Sequence, residues 1–278
     1  MSYVDAHVHV WTDDYDTYPF TPDTDLSKVV PRTFGAEDIL GHARPCGVER
    51  VVLVQMSYYG ADNRYMLETM AEQPGVFAGI GVVDVGADHP EEAMLELMPS
   101  GVRGFRIAPW GSSPETWLDG ESFGRMFEAA AQNDLALCPL IGAESLPSLE
   151  RRCAQFPQAP VIVDHLCRIG TSGRIETGEV EALCGLARFP RAMVKVSAFY
   201  ALGGKQPPYD DLAALIEPVY RAFGAERLMW ASDCPYQVQD EHTYEASIAL
   251  VRDRLDFLSA AERDRMLGGT AAEFFFRA

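Results

Sequence analysis

Short apolar runs rich in β-branched residues alternate along the chain with longer stretches whose apolar residues recur at three- and four-residue intervals. The first pattern predicts buried strands, and the second predicts amphipathic helices. Eight strands are predicted, at residues 3–8, 50–55, 77–83, 102–107, 135–140, 161–164, 193–196 and 228–231. Helices are predicted between them, near residues 63–72, 90–98, 122–133, 146–156, 179–189 and 210–223.

Two further helices are predicted after the eighth strand. The first covers residues 244–255, and the second begins at Ser259, which forms the pattern of a capping box with Glu262. Gly268 and Gly269 are expected to break this second helix before a last stretch at residues 270–276.

Strands that alternate with helices are typical of a parallel sheet over which each helix crosses back. Eight such units fit a closed barrel, although an open doubly wound sheet produces the same alternation. Because the strand number favours closure and no linker divides the chain, we expect an α/β fold, a single (β/α)₈ TIM barrel over residues 1–278. Its active site would lie at the C-terminal ends of the strands, with the long irregular segment 11–35 on the rim.

The charge of the chain narrows its partners. It has 23 Lys and Arg against 41 Asp and Glu, a net charge of −18. Phosphate backbones and anionic lipids would be repelled, so we expect a small-molecule substrate, no nucleic acid and no membrane, while a homo-oligomer is compatible. Since no signal-peptide pattern or membrane-length apolar run occurs, a cytoplasmic location is expected. The six cysteines include no C-x-x-C pair and are expected to be reduced, mostly buried thiols.

Two histidines lie at the end of the first strand, in the segment Asp5-Ala6-His7-Val8-His9. Alternation along a strand would send Asp5, His7 and His9 to one face. The two imidazoles would then converge where barrels place their chemistry. A hydrogen-bonded pair of histidines on a polar face is the structural alternative.

The sixth strand ends in Asp164 and His165. Because Val161, Val163 and His165 would share a face, we expect His165 to point into the barrel mouth and Asp164 to point away or to anchor the turn. A lone histidine at a strand end is often only a hydrogen-bonded residue of the rim.

The eighth strand leads to Asp233, which would share a face with Met229 and Ala231. A carboxylate there is costly to desolvate unless it meets a metal, a histidine or a proton to accept. The alternative is a turn aspartate close to Pro235. Three strand ends that each deliver a ligand-type residue to one rim favour a functional site.

Taken together, these segments resemble the amidohydrolase superfamily, and within it the branch that includes sugar-acid lactonases and the pyrone-dicarboxylate lactonase. The resemblance covers the whole chain and implies that His7, His9 and Asp233 bind a divalent metal where one is present. It also implies that Asp233 handles the proton of the attacking water. The matching segments are His7-x-His9, Val163-Asp164-His165, Ser232-Asp233-Cys234-Pro235, Gly104-Phe105-Arg106, Val194-Lys195-Val196-Ser197 and the closing Leu-Gly-Gly-Thr-Ala-Ala.

The chain departs from the metal-rich members of that superfamily. They carry a further histidine at strand five and often a carboxylate or modified lysine at strand four, but here strand five contains Cys138 and strand four ends in Arg106. A two-metal site is therefore not expected. One divalent ion, most readily Zn²⁺, is compatible with the residues, and so is a site without metal. Its ligands would be His7, His9 and Asp233, with His165 as a further possibility.

Several residues at or after strand ends are candidates for substrate binding. Arg106 could pair with a carboxylate or donate to a lactone carbonyl, and an ion pair in the core is its structural alternative. Trp11 could form an aromatic wall or serve only in packing. The remaining candidates are Gln55, Tyr58, Arg168 and Tyr200, and no role is assigned to His42, His89 and His242.

We therefore expect a hydrolase that opens a lactone of a small acidic or sugar-derived metabolite, with Asp233 and His165 as catalytic residues. Asp233 would activate water while the histidines and Arg106 hold and polarise the carbonyl. A metal-dependent, non-oxidative decarboxylase of the same superfamily is the first alternative, and a barrel that binds a metabolite without turnover is the second. Neither a G-x-S-x-G elbow nor a phosphate-binding glycine loop occurs, which disfavours a serine hydrolase of the α/β-hydrolase type and nucleotide cofactors.

Overall fold

Eight parallel strands form the centre of the protein in the computed structural model, which describes residues 2–277. Each strand pairs with the next one in chain order. The ring is completed where His9 N donates to Cys234 O and Asp233 N donates to His7 O, both at 2.9 Å. The predicted (β/α)₈ barrel is confirmed, and the open sheet is excluded. The strands are β1 (Tyr3–Val8), β2 (Val48–Val54), β3 (Phe77–Gly81), β4 (Val102–Ile107), β5 (Ala136–Pro139), β6 (Val161–Val163), β7 (Ala192–Val196) and β8 (Leu228–Trp230).

All six helices predicted between the strands are present, and their ends differ from the predicted ones by a few residues. Helix α6 is shorter than predicted because its last turn is a 3₁₀ turn, and α7 is preceded by another such turn. The helices are α1 (Ala36–Ala43), α2 (Arg64–Glu72), α3 (Pro90–Leu97), α4 (Glu121–Asn133), α5 (Leu146–Gln155), α6 (Thr177–Gly185), α7 (Ala213–Phe223), α8 (Tyr244–Ala249), α9 (Ala260–Asp264) and α10 (Thr270–Phe275).

The apolar pattern does not predict α1, which interrupts the long segment after β1. This helix has only 8 residues and carries Gly41 in its middle, so its intrinsic helix propensity is poor. Burial of Ile39 and Leu40 stabilises it instead. At its N-terminus the Asp38 carboxylate accepts from Gly35 N at 2.8 Å.

The break expected at Gly268 and Gly269 is wrong. Residues Arg265–Gly269 form a π-helical turn that joins α9 directly to α10. A Cβ added to Gly268 would lie 3.0 Å from the carbonyl oxygen of Ser2, so glycine lets this turn pass close to the start of β1. The predicted capping box of Ser259 and Glu262 is present at the start of α9.

Side chains alternate between the barrel interior and the layer between sheet and helices. The outer layer holds larger side chains such as Leu53, Phe105 and Trp230, which pack against the helices. The interior is filled by a compact cluster whose strand residues are Val4, Ala6, Val52, Val54, Ala78, Ile80, Ala136, Cys138, Ile162, Met193, Met229 and Ala231. Residues that continue this inward series past the ends of the strands reach the mouth of the barrel.

The expected orientation of Asp164 is wrong. Ile162 belongs to the interior cluster, whereas Val161 and Val163 pack in the outer layer. Asp164 therefore follows Ile162 into the barrel and is fully buried. His165 reaches the mouth only because its backbone turns left-handed, with a φ of 52°.

Asp5 also differs from the expectation that it shares a face with His7. Its carboxylate accepts from Ser232 N at 2.9 Å and from the hydroxyl of Tyr244 on α8 at 2.8 Å, so it faces the helix layer. The register of β1 against β2 shifts between Asp5 and Val8, and this irregularity re-aims His7 into the barrel.

Within residues 2–277, no helix combines the length and the apolar character needed to cross a membrane. All six cysteines are free thiols, as predicted, and four of them are buried.

Candidate active site

A group of buried ionisable side chains meets at the C-terminal mouth of the barrel. None of them is more than 9% exposed. Five different strands or the turns after them supply these residues, as barrels generally do. They are His7 from β1, His9 directly after β1, Arg106 from β4, Asp164 and His165 after β6, Lys195 from β7 and Asp233 after β8.

The backbone is left-handed where three of the strands end. His165 has a φ of 52°, Ala198 after β7 a φ of 57° and Asp233 a φ of 66°. This conformation costs about 1–2 kcal/mol for a residue with a Cβ. Such strain persists where the surrounding structure imposes it and clusters at functional sites. Here it aims the side chains of His165 and Asp233 into the mouth.

The tautomer of His9 follows from its partner. Its Nδ1 lies 2.8 Å from the carbonyl oxygen of Val54, which only accepts, so Nδ1 carries the proton. In the neutral ring, Nε2 then presents its lone pair to the mouth. A histidine that ligates a metal through one ring nitrogen typically donates the N–H of the other to a group such as a backbone carbonyl, as His9 does here.

His7 presents a lone pair to the same point. Its Nε2 lies 2.8 Å from a guanidinium nitrogen of Arg106, which only donates, so we assign Nε2 as the acceptor and Nδ1, which lies 3.4 Å from Asp164 Oδ1, as the donor. Burial and then the charge of Lys195 lower the pKa of His7 well below its ordinary value, which keeps the ring neutral. The Nε2 atoms of His7 and His9 are 3.2 Å apart, so two lone pairs face one another.

The carboxylate of Asp233 completes this electron-rich group. Its Oδ1 lies 3.5 Å from Nε2 of both His7 and His9 and 3.8 Å from Nε2 of His165, is buried, and has no hydrogen-bond partner among the described residues. Its Oδ2 accepts from the Tyr200 hydroxyl at 2.7 Å. Burial opposes ionisation of Asp233, but His165 and the other two histidines outweigh it and lower its pKa below the ordinary value.

His165 is held by a residue of the neighbouring strand end. Its Nδ1 lies 2.9 Å from the hydroxyl of Ser197, which follows β7. Burial lowers the pKa of His165, so the ring is neutral at neutral pH. Its Nε2 faces Asp233 at the floor of the mouth.

Lys195 and Asp164 form a buried ion pair beneath the histidines, and neither residue was predicted from the sequence to be functional. Lys195 Nζ lies 3.0 Å from Asp164 Oδ1 and 3.1 Å from His7 Nδ1, and both side chains are fully buried. Arg106 contacts the other oxygen of Asp164 at 3.1 Å. Burial raises the pKa of Asp164, but the charges of Lys195 and Arg106, with the contact from His7, hold it well below the ordinary range. The sequence signal that could have identified this pair is Lys195 itself, an ionisable residue on the inward face of β7.

The residues of the mouth fit a divalent cation. Two lone pairs and one unpartnered carboxylate oxygen converge, and such a set is repulsive unless a proton or a cation lies among its members. Ligands bound to tetrahedral zinc at about 2.05 Å lie about 3.3 Å apart. The three separations within His7, His9 and Asp233 are 3.2, 3.5 and 3.5 Å. His165 forms a second possible group with His7 and Asp164.

An open cavity of about 310 Å³ covers the mouth. Of the residues predicted from sequence, it brings together Arg106, Arg168 and Tyr200 with the catalytic candidates Asp233 and His165. His9 also lines the cavity, together with residues that the sequence did not single out: Met56, Ser57, Leu140, Thr171, Ala198, Ala201, Leu202 and Tyr236.

Three of the predicted substrate-binding residues lie elsewhere. Trp11 is fully buried, donates from Nε1 to the carbonyl oxygen of Pro31 at 2.9 Å, and packs edge-on against Tyr58, so the packing alternative describes it. Neither Trp11 nor Tyr58 lines the cavity over Asp233 in the described part of the chain. Gln55 lines a neighbouring cavity, and its amide nitrogen is occupied by the carbonyl oxygen of Asp62 at 2.7 Å.

Comparison with known proteins agrees with this arrangement. The amidohydrolase family model matches residues 4–277. The chain is 30% identical to the L-fucono-1,5-lactonase of Burkholderia ambifaria over 281 aligned positions, which cover 98% of this chain and 94% of that protein. It is 26% identical to the 2-pyrone-4,6-dicarboxylate hydrolase of Comamonas testosteroni, covering 86% of this chain and 78% of that protein.

A solved structure shares the fold over the full length of both chains. It is an amidohydrolase from Burkholderia multivorans with bound zinc, which superposes with a TM-score of 0.84 at 22% identity and covers 100% of each chain. Since the family model spans nearly every described residue of a barrel whose histidines and aspartate meet at the expected strand ends, this chain belongs to the amidohydrolase family.

Proposed function

We propose that the protein is a lactone hydrolase in which Asp233 activates the attacking water. The observation that carries this proposal is the unpartnered Oδ1 of Asp233, which is buried at the floor of the cavity and surrounded by Nε2 atoms of three histidines. The relatives named above support the choice of bond, because a sugar lactone and a pyrone dicarboxylate are both cyclic esters.

Asp233 is equipped to accept a proton. Its lowered pKa keeps it ionised at neutral pH, and the Tyr200 hydroxyl fixes its orientation through Oδ2. Burial, followed by the charge of Asp233, raises the pKa of Tyr200, so Tyr200 remains a donor. A water molecule at Oδ1 would transfer a proton to Asp233 as its oxygen attacks the lactone carbonyl.

The same cavity holds donors for the negative charge that develops on the carbonyl oxygen. Arg106 lines the cavity, and its Nε has no hydrogen-bond partner among residues 2–277. A preorganised donor of this kind contributes about 3–4 kcal/mol to transition-state stabilisation. When the ring C–O bond breaks, Asp233 returns the proton to the leaving alkoxide, which leaves the hydroxy acid as product and restores the carboxylate.

A divalent ion held by His7, His9 and Asp233 would supply Lewis acidity at this position. The residues themselves orient this set: Val54 O fixes the ring of His9, and Asp164 fixes the ring of His7 from the opposite side, with Oδ1 at 3.4 Å from Nδ1. His165, Arg106, Arg168 and Tyr200 are proposed as the residues that contact the substrate.

The substrate is proposed to be acidic. Arg106 and Arg168 lie on the wall of the cavity, and Arg168 is exposed to it. A guanidinium is the preferred partner of a carboxylate, because it offers paired donors in a fixed geometry. These two residues supply local positive charge in a chain whose net charge is −18.

The experiment is a screen of lactones by proton release at neutral pH. The panel combines δ- and γ-lactones, with and without a ring carboxylate, and adds aromatic carboxylates monitored for CO₂ release. Saturable hydrolysis of lactones, absent in Asp233→Asn, is the expected result. Release of CO₂ without lactone hydrolysis would contradict the proposal.

A further inference from the structure

A second cavity adjoins the one over Asp233. It has a volume of about 440 Å³ and shares Ser57, Arg106 and Leu140 with the first cavity. The other lining residues of this second cavity are Gln55, Gly60, Ala61, Val82, Val83, Asp84, Val85, Ala108 and Trp110. Each volume lies in the range of small-molecule sites, and the shared residues place Arg106 on the boundary between the two cavities.

The two cavities differ in chemistry. The first is lined by His9, His165, Arg168 and Asp233, whereas among residues 2–277 Arg106 and Asp84 are the only charged residues lining the second. The remaining side chains of the second cavity are mainly aliphatic or aromatic. We call it the apolar chamber.

The polar groups of the apolar chamber are largely engaged within the protein. The amide nitrogen of Gln55 donates to the carbonyl oxygen of Asp62 at 2.7 Å, and Asp84 Oδ1 accepts from Gly86 N at 2.9 Å. A polyhydroxylated substituent placed here would lose hydrogen bonds to water without replacing them, which weakens its binding. An aliphatic substituent would lose none.

Trp110 is the exposed edge of the apolar chamber. It is 55% exposed and is the sole aromatic residue among the large apolar side chains that are exposed within residues 2–277. Its φ of 43° is left-handed, which for a bulky side chain is a strained conformation. Its indole adds apolar surface to the lining of the apolar chamber.

We propose that the apolar chamber binds an aliphatic or aryl substituent of the substrate, so that the preferred lactones carry such a group rather than a row of hydroxyls. This inference deepens the proposed function and rests on it. Arg106 then lies between the two ends of the ligand, and its unpartnered Nε is available to the polar ring. Asp84, exposed at the apolar chamber, disfavours a second carboxylate there.

The test is a kinetic series. The probes are δ-lactones with linear alkyl substituents of one to five carbons, and gluconic acid δ-lactone is the polyhydroxylated comparator. Burial of one methylene changes kcat/KM by about fourfold, so we expect kcat/KM to rise by about that factor per carbon until the apolar chamber is filled. A flat or falling series, or preference for the polyhydroxylated lactone, would overturn the inference.

Trp110 provides the variant. Trp110→Ala is expected to lower the ratio of kcat/KM for the pentyl over the methyl lactone by about tenfold, and Trp110→Phe should restore most of it. Leu95→Ala, an exposed apolar residue on the outer helix α3, is the matched control and should leave the ratio unchanged. An unchanged ratio in Trp110→Ala would show that Trp110 does not contribute to binding of the alkyl substituent in the apolar chamber.

The proposed function and the role of the apolar chamber can be contradicted separately. If the protein hydrolyses no lactone of the series, the proposed function fails and this inference fails with it. If it hydrolyses the unsubstituted ring as well as the pentyl lactone, the proposed function stands and the apolar chamber's role alone is wrong.

Discussion

Lys195 Nζ lies 3.0 Å from Asp164 Oδ1, and both side chains are completely removed from solvent. The pair lies directly beneath His7, whose Nδ1 is 3.1 Å from the same ammonium group. Two buried charges are costly to desolvate, and each is tolerated because the other is there. The ion pair thereby fixes the position of His7 under the cavity.

Removal of Lys195 should therefore destabilise the barrel. Lys195→Met leaves Asp164 with one cationic partner, Arg106, and breaking a buried pair costs about 3–5 kcal/mol. We expect the free energy of unfolding, measured by urea denaturation, to fall by that amount. The double variant Lys195→Met, Asp164→Asn should lose clearly less than the sum of the two single variants, and additive losses would show that the pair does not act as a unit.

Arg106 should contribute to the binding of acidic substrates, in addition to its proposed role as a donor to the carbonyl oxygen. Arg106→Ala is expected to raise KM for lactones that carry a carboxylate by at least about tenfold, because a charge-assisted contact is lost, and to affect uncharged lactones less. Arg103→Ala is the matched control on the same strand, since Arg103 donates to backbone carbonyls away from the cavity. Equal KM changes for both classes of lactone would assign Arg106 to the ion pair alone.

Arg106 should also compete with metal. One lone pair of His7 Nε2 cannot accept from Arg106 and ligate an ion at the same time. We expect Arg106→Ala to bind Zn²⁺ more tightly than the unmodified protein, and His9→Ala to bind it at least about tenfold more weakly. Calorimetric titration of chelator-treated protein measures both. Unchanged affinity in both variants would place any bound zinc elsewhere.

Asp5 should make stability depend on pH in the opposite sense to a salt-bridged carboxylate. Burial raises its pKa to about 6, despite hydrogen bonds from Ser232, His7 and Tyr244. The folded protein therefore holds this proton more tightly than the unfolded chain. Its favourable contribution is complete below pH 3.8 and is lost as pH rises through about 6.

The corresponding variant is Asp5→Asn, which cannot ionise. The difference in free energy of unfolding between this variant and the unmodified protein should shift in favour of the variant by up to about 3 kcal/mol from pH 4 to pH 8. Urea denaturation at the two pH values measures the difference. A difference between the two proteins that does not change with pH would contradict the buried, raised pKa of Asp5.

Much of the fold could be predicted from the sequence, because apolar runs and helical periodicity recur strongly enough to reveal all eight strands. The exceptions have local causes. Helix α1 is too short and glycine-interrupted to stand out, and Gly268 serves a close approach to β1 that only tertiary structure reveals. Both depend on packing between segments distant in the chain.

Site residues could be predicted where side chains keep alternating between the two faces of a strand, and could not be predicted where this alternation is interrupted. Asp233 continues the inward series of Met229 and Ala231, so its orientation could be read from the pattern. Asp164 was misjudged because the left-handed turn at His165 allows two consecutive residues to face the interior. Lys195 escaped notice because a fully buried lysine acquires meaning only beside its carboxylate.

The most direct test of the account is the turnover number of Asp233→Asn on the best lactone of the screen. The substitution keeps the size of the side chain and its bond to Tyr200 but removes the base, so kcat should fall by about 10²–10⁴-fold with the melting temperature little changed. Asp210→Asn, which alters a surface aspartate paired with Arg254, is the control and should retain full activity. A kcat of Asp233→Asn within about threefold of the unmodified protein would contradict the assignment of Asp233 as the base.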